Sequence, residues 1–384
     1  MDTGTIVWVG LGWWSACTVV HWVSAALGRR PREAAVATST KLPPLSDFSI
    51  VAPMSGARDV TPAYVQTLQE LSRAGAEVLI CVADPADGAA EPLRELWPNA
   101  PVLFGEDDTF NPKMNNARKG FEAAGRPVVT LCDAGIALGT EQLQTAAAPL
   151  AEGVGLVLAL KAGVGPENFA AELECAYING HQARFLFAAD RLGLAVASGG
   201  VTLLSNETLQ RIGNWRGFNR WIADDYSVVR SVRELGLVTR LGQFMLHLPV
   251  GTRNLTEVWR RQVRWTRTRL RLPVWPLVLW EPAIGWTVSG VAGCVALVAA
   301  GCTAADIVVA VLFHTMVWLI GEWWFLSGRG LAFGPRAAAA ALLREMLSPL
   351  LMASALGGRS IDWRGTDLGG QWRARRDESP GRSG

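Results

Sequence analysis

Lysine is scarce in this chain of 384 residues. Only Lys41, Lys113, Lys119 and Lys161 occur, so nearly all the positive charge is arginine. An excess of either sign is missing too. The formal net charge is +2, which gives no basis for a nucleic-acid partner. Paired cysteine motifs are also absent. Cys17, Cys81, Cys132, Cys175, Cys294 and Cys302 form no CxxC pair, and several sit in apolar runs. They read as reduced core thiols in a reducing compartment. Apolar side chains are abundant. Hydrophobic residues make up 50% of the chain, and the mean hydropathy of +0.20 is high for a soluble protein.

The apolar runs have a direction. Residues 5–27 are long enough to span a bilayer and carry His21 as their only ionisable side chain besides Cys17. Arg29, Arg30 and Arg32 follow at once. A cleaved signal peptide carries its charge before the apolar run, so a retained anchor over 1–28 is expected. Two further apolar stretches, 282–300 and 307–326, are joined by a loop without Lys or Arg, and Arg329 and Arg336 follow the second. That asymmetry places both outer ends of the hairpin, and the segment before it, on the cytoplasmic side. A fourth stretch, 337–356, carries Arg344 and Glu345 near its middle. Two lone ions at the bilayer centre would cost about 2.5 kcal/mol or more each, so a re-entrant or interfacial helix is expected there. The polar tail over 357–384, rich in arginine, stays cytoplasmic.

Between the anchors, 45–254 reads as a cytoplasmic α/β domain. Short apolar strands at 49–52, 77–83, 102–104 and 128–132 alternate with helical patterns at 61–74, 90–96 and 113–124, which predicts a largely parallel sheet. Ligands of such sheets bind beyond the carboxyl ends of the strands. Asp84, Asp87 and Asp133 stand at that edge, although turn chemistry alone also favours Asp there. Further on, 167–186 reads as one long helix. Gly199 and Gly200 permit close approach of a ligand or backbone. Asp224 and Asp225 open another helix, and 237–248 is strand-like. In 255–271, Arg260, Arg264, Arg267 and Arg271 form one basic stripe. It fits either lipid phosphates at an interface or a substrate diphosphate.

Five segments then define a resemblance. They are Cys81-Val82-Ala83-Asp84-Pro85-Ala86-Asp87, Asn111-Pro112-Lys113-Met114-Asn115-Asn116, Cys132-Asp133-Ala134-Gly135-Ile136, Ala223-Asp224-Asp225-Tyr226 and Arg261-Gln262-Val263-Arg264-Trp265. The ending Asp362-Trp363-Arg364-Gly365 joins them. In this order, with apolar segments at both ends, the chain resembles family 2 glycosyltransferases, and among them the ceramide glucosyltransferases, including bacterial ones. The resemblance implies a GT-A-type nucleotide-sugar-binding α/β domain over 45–254. An amphipathic interfacial helix with an RxxRW motif would follow over 255–276, then a transmembrane hairpin with a re-entrant or interfacial helix over 282–356, all in a bacterial inner membrane. It implies Asp84, Asp87, Lys113, Asn115 and Asp133 on the donor side, with Asp133 holding Mg2+ or Mn2+. It also implies Asp225 as general base, Arg261, Arg264 and Trp265 near the diphosphate and acceptor, and His181, Gly199, Gly200 and Asp224 on the acceptor side. Two departures stand out. Ile50-Val51-Ala52-Pro53 lacks the Lys that usually precedes the Pro, and Gly199-Gly200-Val201 stands where relatives carry bulkier or basic residues.

The implied reaction moves a hexose, glucose first, from a UDP-sugar to the hydroxyl of a membrane lipid, ceramide first, with inversion. Diacylglycerol and hopanoid acceptors stay open, as does a processive polysaccharide synthase, although such synthases use more spans than the roughly three expected here. A catalytically inactive membrane scaffold is the remaining alternative.

Overall fold

The structure, a computed structural model, describes residues 2–29, 42–105, 111–194, 196–242, 244–363 and 366–369. Arg30, Arg32, Arg364, Gly365 and the tail from 370 onward lie outside them. The chain divides into two compact units. One comprises 32–164, 193–249 and 362–384, and the other 1–31, 165–192 and 250–361.

After α1 (Thr3–Arg29), the chain enters the sheet-bearing unit through β1 (Phe48–Pro53), α2 (Pro62–Arg73), β2 (Glu77–Val82), α3 (Ala90–Leu96), β3 (Val102–Phe104), α4 (Pro112–Ala123) and β4 (Val128–Cys132). Then come α5 (Thr140–Ala147) and the long β5 (Val154–Pro166), a strand that the earlier strand–helix alternation does not announce. The chain passes through α6 (Phe169–Cys175) and α7 (Ala183–Arg191) before β6 (Gly200–Ser205), α8 (Asn206–Arg211), α9 (Asp224–Glu234), β7 (Val238–Leu241) and β8 (Leu246–Gly251). The expected strand over 237–248 is thus two. The remaining elements are α10 (Leu255–Arg269), α11 (Trp275–Trp280), α12 (Trp286–Ala299), α13 (Ala304–Gly328) and α14 (Pro335–Leu356).

Local chemistry starts these elements. The Thr61 hydroxyl accepts from Tyr64 N at 3.3 Å, Pro62 takes the first helical position, and Tyr64, Val65, Leu68 and Leu71 face the core. β1 is buried along its whole length, as a central strand covered on both faces should be. The sheet order is β3-β2-β1-β4-β6-β5-β7, with β8 paired to β5. β1 to β4 are parallel, whereas β6 runs antiparallel to both β4 and β5. Phe48, Ile50, Leu68, Ile80, Leu143, Val157 and Leu203 fill the core against it.

Among the described residues, the helical unit holds three helices long and apolar enough to cross a membrane: α1, α13 and α14. α12 is apolar but shorter. α1 packs on α7, α12 and α13. Its Gly10 lies so near α12 that a Cβ there would stand 2.7 Å from Ala292 O, the small-residue contact that lets membrane helices meet closely. Val9, Val308, Val309, Leu312 and Phe313 point outward, as lipid-facing side chains do.

The ions of α14 have partners. Arg344 donates to Glu322 Oε1 and Oε2 of α13 at 2.8 and 3.3 Å, to Glu345 Oε1 at 2.7 Å and to Ala176 O at 2.7 Å. Arg184 lies 3.7 Å from Glu322 and contacts His21. Two cations and two anions are buried together, which removes much of the cost that weighs on a lone ion in an apolar medium. A departure from the expected helix over 167–186 lies beside the same cluster. The chain runs as α6, then π-helical turns over Ala176–Gln182, then α7. A Cβ at Gly180 would collide with Glu322 Oε1 and Arg344 Nη1. Arg344→Ala leaves two buried carboxylates short of their shared cation. The variant should lose about 3–5 kcal/mol, read as a large fall in melting temperature of the detergent-purified protein; an unchanged melting temperature would refute the pairing.

Candidate active site

The carboxyl edge of the parallel strands gathers the charges of the sheet-bearing unit. α4 delivers the first of them. Asn111 caps that helix, its Oδ1 accepting from Lys113 N at 3.1 Å, and Pro112 begins it. Asn116 Nδ2 donates to Met54 O at 2.8 Å and Cys81 O at 2.9 Å, tying α4 to the ends of β1 and β2. Gly120 lets it sit close, since a Cβ there would be 2.6 Å from Cys81 Sγ and 2.7 Å from Val51 Cγ1. Lys113 is thereby set at the edge, where its Nζ lies 2.6 Å from Asp133 Oδ1 and 2.6 Å from Asp224 Oδ2.

Asp133 follows β4. Its N–H donates to Gly200 O at 2.9 Å, and Lys161 Nζ of β5 lies 4.0 Å from its Oδ2. The two glycines expected on the acceptor side border this carboxylate. A Cβ at Gly199 would stand 3.3 Å from Asp133 Oδ2. Gly200 has φ +154, and a Cβ there would be 2.6 Å from Ala159 O. A larger residue at 199 would crowd the carboxylate, and one at 200 would strain the backbone.

Electrostatics separate the carboxylates. Burial pushes the Asp133 carboxyl up, but Lys113 and Lys161 outweigh it and hold the group below its ordinary value. Burial works against the charged form of Lys113, and its two carboxylates more than reverse this, so the ammonium stays protonated. Asp225 goes the other way. Burial first and the Asp224 charge second raise it to about 6, against the opposing Tyr226 N–H at 2.8 Å and Lys113. A carboxyl raised toward neutrality beside groups held charged marks this edge as a candidate functional site.

The other residues expected on the donor side differ in surroundings. Asp87 Oδ1 accepts from Gly56 N at 2.7 Å and Ala89 N at 2.8 Å, and its Oδ2 from Ser55 Oγ at 3.2 Å, so it joins the loops after β1 and β2. Asp84 is exposed and closes a turn, its Oδ1 accepting from Ala86 N at 2.7 Å. Asn115 is buried in the first turns of α4. Lys161 was not among the expected residues. Its signal was a single lysine inside the apolar run of 154–164, in a chain with four lysines.

Arg261, Arg264, Trp265 and His181 belong to the helical unit. Arg261 is paired with Glu174 Oε1, a fully buried carboxylate whose Oε2 accepts from Arg253 Nε at 3.0 Å. Glu174 is thus a positioning residue for the RxxRW segment that sequence reading did not single out. Arg267 donates to Ser354 O at 2.9 Å, Ala355 O at 3.3 Å and Ser360 O at 3.0 Å, so this member of the basic stripe binds main-chain carbonyls near the end of α14. His181 Nε2 lies 3.7 Å from Glu281 Oε2, and Arg269 also pairs with Glu281. Burial raises Glu281, yet these two partners hold it at about 2.

Among the described residues no three His, Cys, Asp or Glu side chains are grouped to hold a metal. Asp133, 24% exposed at its side chain, still offers a hard oxygen donor at the strand edge. The residues present fit a divalent ion only as one that shares its shell with a bound phosphate.

Comparison with known proteins places this geometry. The mannosyltransferase PcManGT from Pyrobaculum calidifontis, solved in complex with GDP-Man and Mn2+, aligns over 90% of this chain and 99% of that chain, with a TM-score of 0.50 and 14% identity. Ceramide glucosyltransferase 3 of Caenorhabditis elegans is 23% identical over 333 residues, 83% of this chain and 72% of the relative. Ceramide glucosyltransferase 1 of the same animal is 22% identical over 346 residues, 87% and 73%. The likeness to PcManGT gives the sheet-bearing unit a GT-A fold, and the family match with these relatives makes the chain a glycosyltransferase of the nucleotide-sugar-dependent class. The family model for glycosyl transferase family 21 matches residues 10–375, and the chain belongs to that family.

Lys113→Met removes the one ammonium that contacts both Asp133 and Asp224. Asp133 then loses the cation that offsets its burial, and its folded-state pKa rises above that of the unfolded chain. Stability is retained at low pH and lost as pH rises through those values. The variant should be less stable by about 1–3 kcal/mol at pH 8, with the deficit shrinking toward pH 5 in thermal melts. A deficit independent of pH would contradict the shared-ammonium account.

Proposed function

We propose that this enzyme transfers a hexose, glucose first, from a UDP-sugar to the hydroxyl of a membrane lipid, ceramide first, with inversion at the anomeric carbon. The observation that carries the proposal is Asp225, raised to about 6 at an edge where Lys113 contacts both Asp133 and Asp224. The ceramide glucosyltransferase relatives support the lipid acceptor, and the three membrane-length helices support its delivery from a bilayer. The arginines after α1 and α13 support a cytoplasmic catalytic unit, as in a bacterial inner membrane.

The step is a single displacement. The acceptor oxygen attacks the anomeric carbon, the bond from that carbon to the diphosphate oxygen breaks, and Asp225 takes the hydroxyl proton. Mg2+ or Mn2+, when bound, neutralises charge on the leaving diphosphate as a Lewis acid, with Asp133 as its protein anchor. Lys113 and Lys161 add fixed positive charge at the same edge. Gly199 and Gly200 keep the space beside Asp133 open. Asp87 fixes the two loops on the donor side.

Asp225→Asn should lower kcat by about 10²- to 10⁴-fold while UDP-sugar binding stays near that of the parent; near-normal turnover would remove Asp225 as the base. The kcat profile should fall on the acid side with an apparent pKa of about 6. Asp224→Asn removes a like charge and should move that limb to lower pH, and an upward shift would count against this origin. Exhaustive chelation should abolish transfer, with Mg2+ or Mn2+ restoring it. Purified enzyme given a panel of UDP-sugars and lipids should yield a hexosyl lipid by mass spectrometry. A polymer product, or no transfer to any lipid, would overturn the reading.

A further inference from the structure

α9 begins without a side-chain cap. Ala223, the residue before it, is extended, with φ −104 and ψ +118, and its methyl group can accept no hydrogen bond from the first turn. Ser, Thr, Asp or Asn ordinarily fills that place. The same turn carries Asp224 and Asp225. A helix start free to fray would let both carboxylates move.

Ser227 holds that start from inside the helix. It is fully buried. Its hydroxyl donates to Ala223 O at 2.8 Å, and its Oγ accepts from Trp221 N at 2.7 Å. One side chain thus ties the first turn to the chain that enters it. The ring of Trp221 also meets that of Tyr226 edge-on, with centroids 5.5 Å apart. Tyr226 N in turn donates to Asp225 Oδ1 at 2.8 Å. Farther back, Phe218 is buried against Phe121 of α4, the helix that carries Lys113. A serine inside a helix is neutral to unfavourable unless its hydroxyl is used. Val228, Val229 and Val232 fill the other buried places of α9 without one.

We infer that Ser227 is a positioning residue for the base: it replaces the missing cap of α9 and holds Asp225 in its buried place at the carboxyl edge. The inference rests on the reading of Asp225 as base. The charged groups that act on Asp225 are Asp224 beside it, Lys113 of α4 and Asp133 after β4. Ser231 supplies the natural comparison. Its Oγ donates to Gly217 O at 3.0 Å and accepts from Arg220 Nη1 at 3.3 Å, so it ties the same approach to the same helix, but one turn away from the aspartates.

The first test needs no substrate. Asp225 is raised to about 6, above its value in the unfolded chain, so its contribution to stability is lost as pH rises through 6. The melting temperature of Asp225→Asn minus that of the parent, both full chains in detergent, should therefore climb between about pH 4 and pH 8. In a Ser227→Ala background the climb should shrink to about half or less, because a loosened first turn lets the carboxylate reach water. In a Ser231→Ala background it should be kept. The second test is transfer from UDP-glucose to short-chain ceramide in nanodiscs. Ser227→Ala should lower kcat about tenfold or more, with the UDP-glucose KM little changed and the acid limb moved to lower pH. Ser231→Ala deletes a hydroxyl that also has two partners, so it should melt about as early, yet keep the parent's limb and nearly its kcat. Ser227→Cys and Ser231→Cys, which keep a weak donor, repeat both comparisons if an alanine variant does not fold. An undiminished climb in the Ser227→Ala background, or equal kcat losses in the two serine variants, would overturn the inference. Where no transfer is seen, the first test decides alone. A shrunken climb with near-normal turnover in Asp225→Asn would sink the base reading and leave Ser227 as the residue that places Asp225.

Discussion

One ammonium holds the carboxyl edge of the sheet together. Lys113 stands 2.6 Å from a carboxylate at the end of β4 and 2.6 Å from another at the start of α9. These elements are far apart in sequence and approach only because the sheet is folded. Without a cation between them, like charges would oppose that approach. The helix that carries Lys113 is fixed by Asn116 on two strand-end carbonyls and by the missing side chain at Gly120. Packing therefore sets the position of the charge, and the charge permits the edge.

The same arrangement divides labour among the carboxylates. Asp133 and Asp224 share the lysine, whereas Asp225 is left with burial and a neighbouring negative charge. Its proton affinity rises into the range where a base both holds and releases a proton near neutrality. Three aspartates on one edge thus differ in chemistry because their surroundings differ. In the helical unit, ions are likewise met by ions. Glu174 takes two arginines, and Arg344 takes two glutamates. Such pairs hold helices in register where lone charges would be expelled.

Much of this was legible in the sequence because strong local signals survive folding. The apolar runs at 77–83 and 128–132 did become β2 and β4, and the Asp residues that end them did reach the carboxyl edge. The Asn-Pro start of α4 and the acidic start of α9 were equally plain. Long-range compensation was not legible. Nothing local announces that Arg344 meets Glu322, so the sequence shows only lone charges within 337–356. Gly180 lies inside the stretch read as one helix over 167–186, yet it stands against two charged side chains within π-helical turns. β5 was hidden because its run of small and apolar residues suits a buried helix or a strand equally. Lys161 came into view only with that strand.

The account turns on the edge around Lys113 being the place where the donor's diphosphate sits. An experimental structure of the full chain with UDP and Mn2+ tests this most directly. The account predicts diphosphate oxygens within hydrogen-bonding reach of Lys113 or Lys161, the ion on Asp133, and the Asp225 carboxylate open to an incoming hydroxyl. Nucleotide density elsewhere, with the lysine–aspartate contacts unchanged and the edge empty, would contradict it.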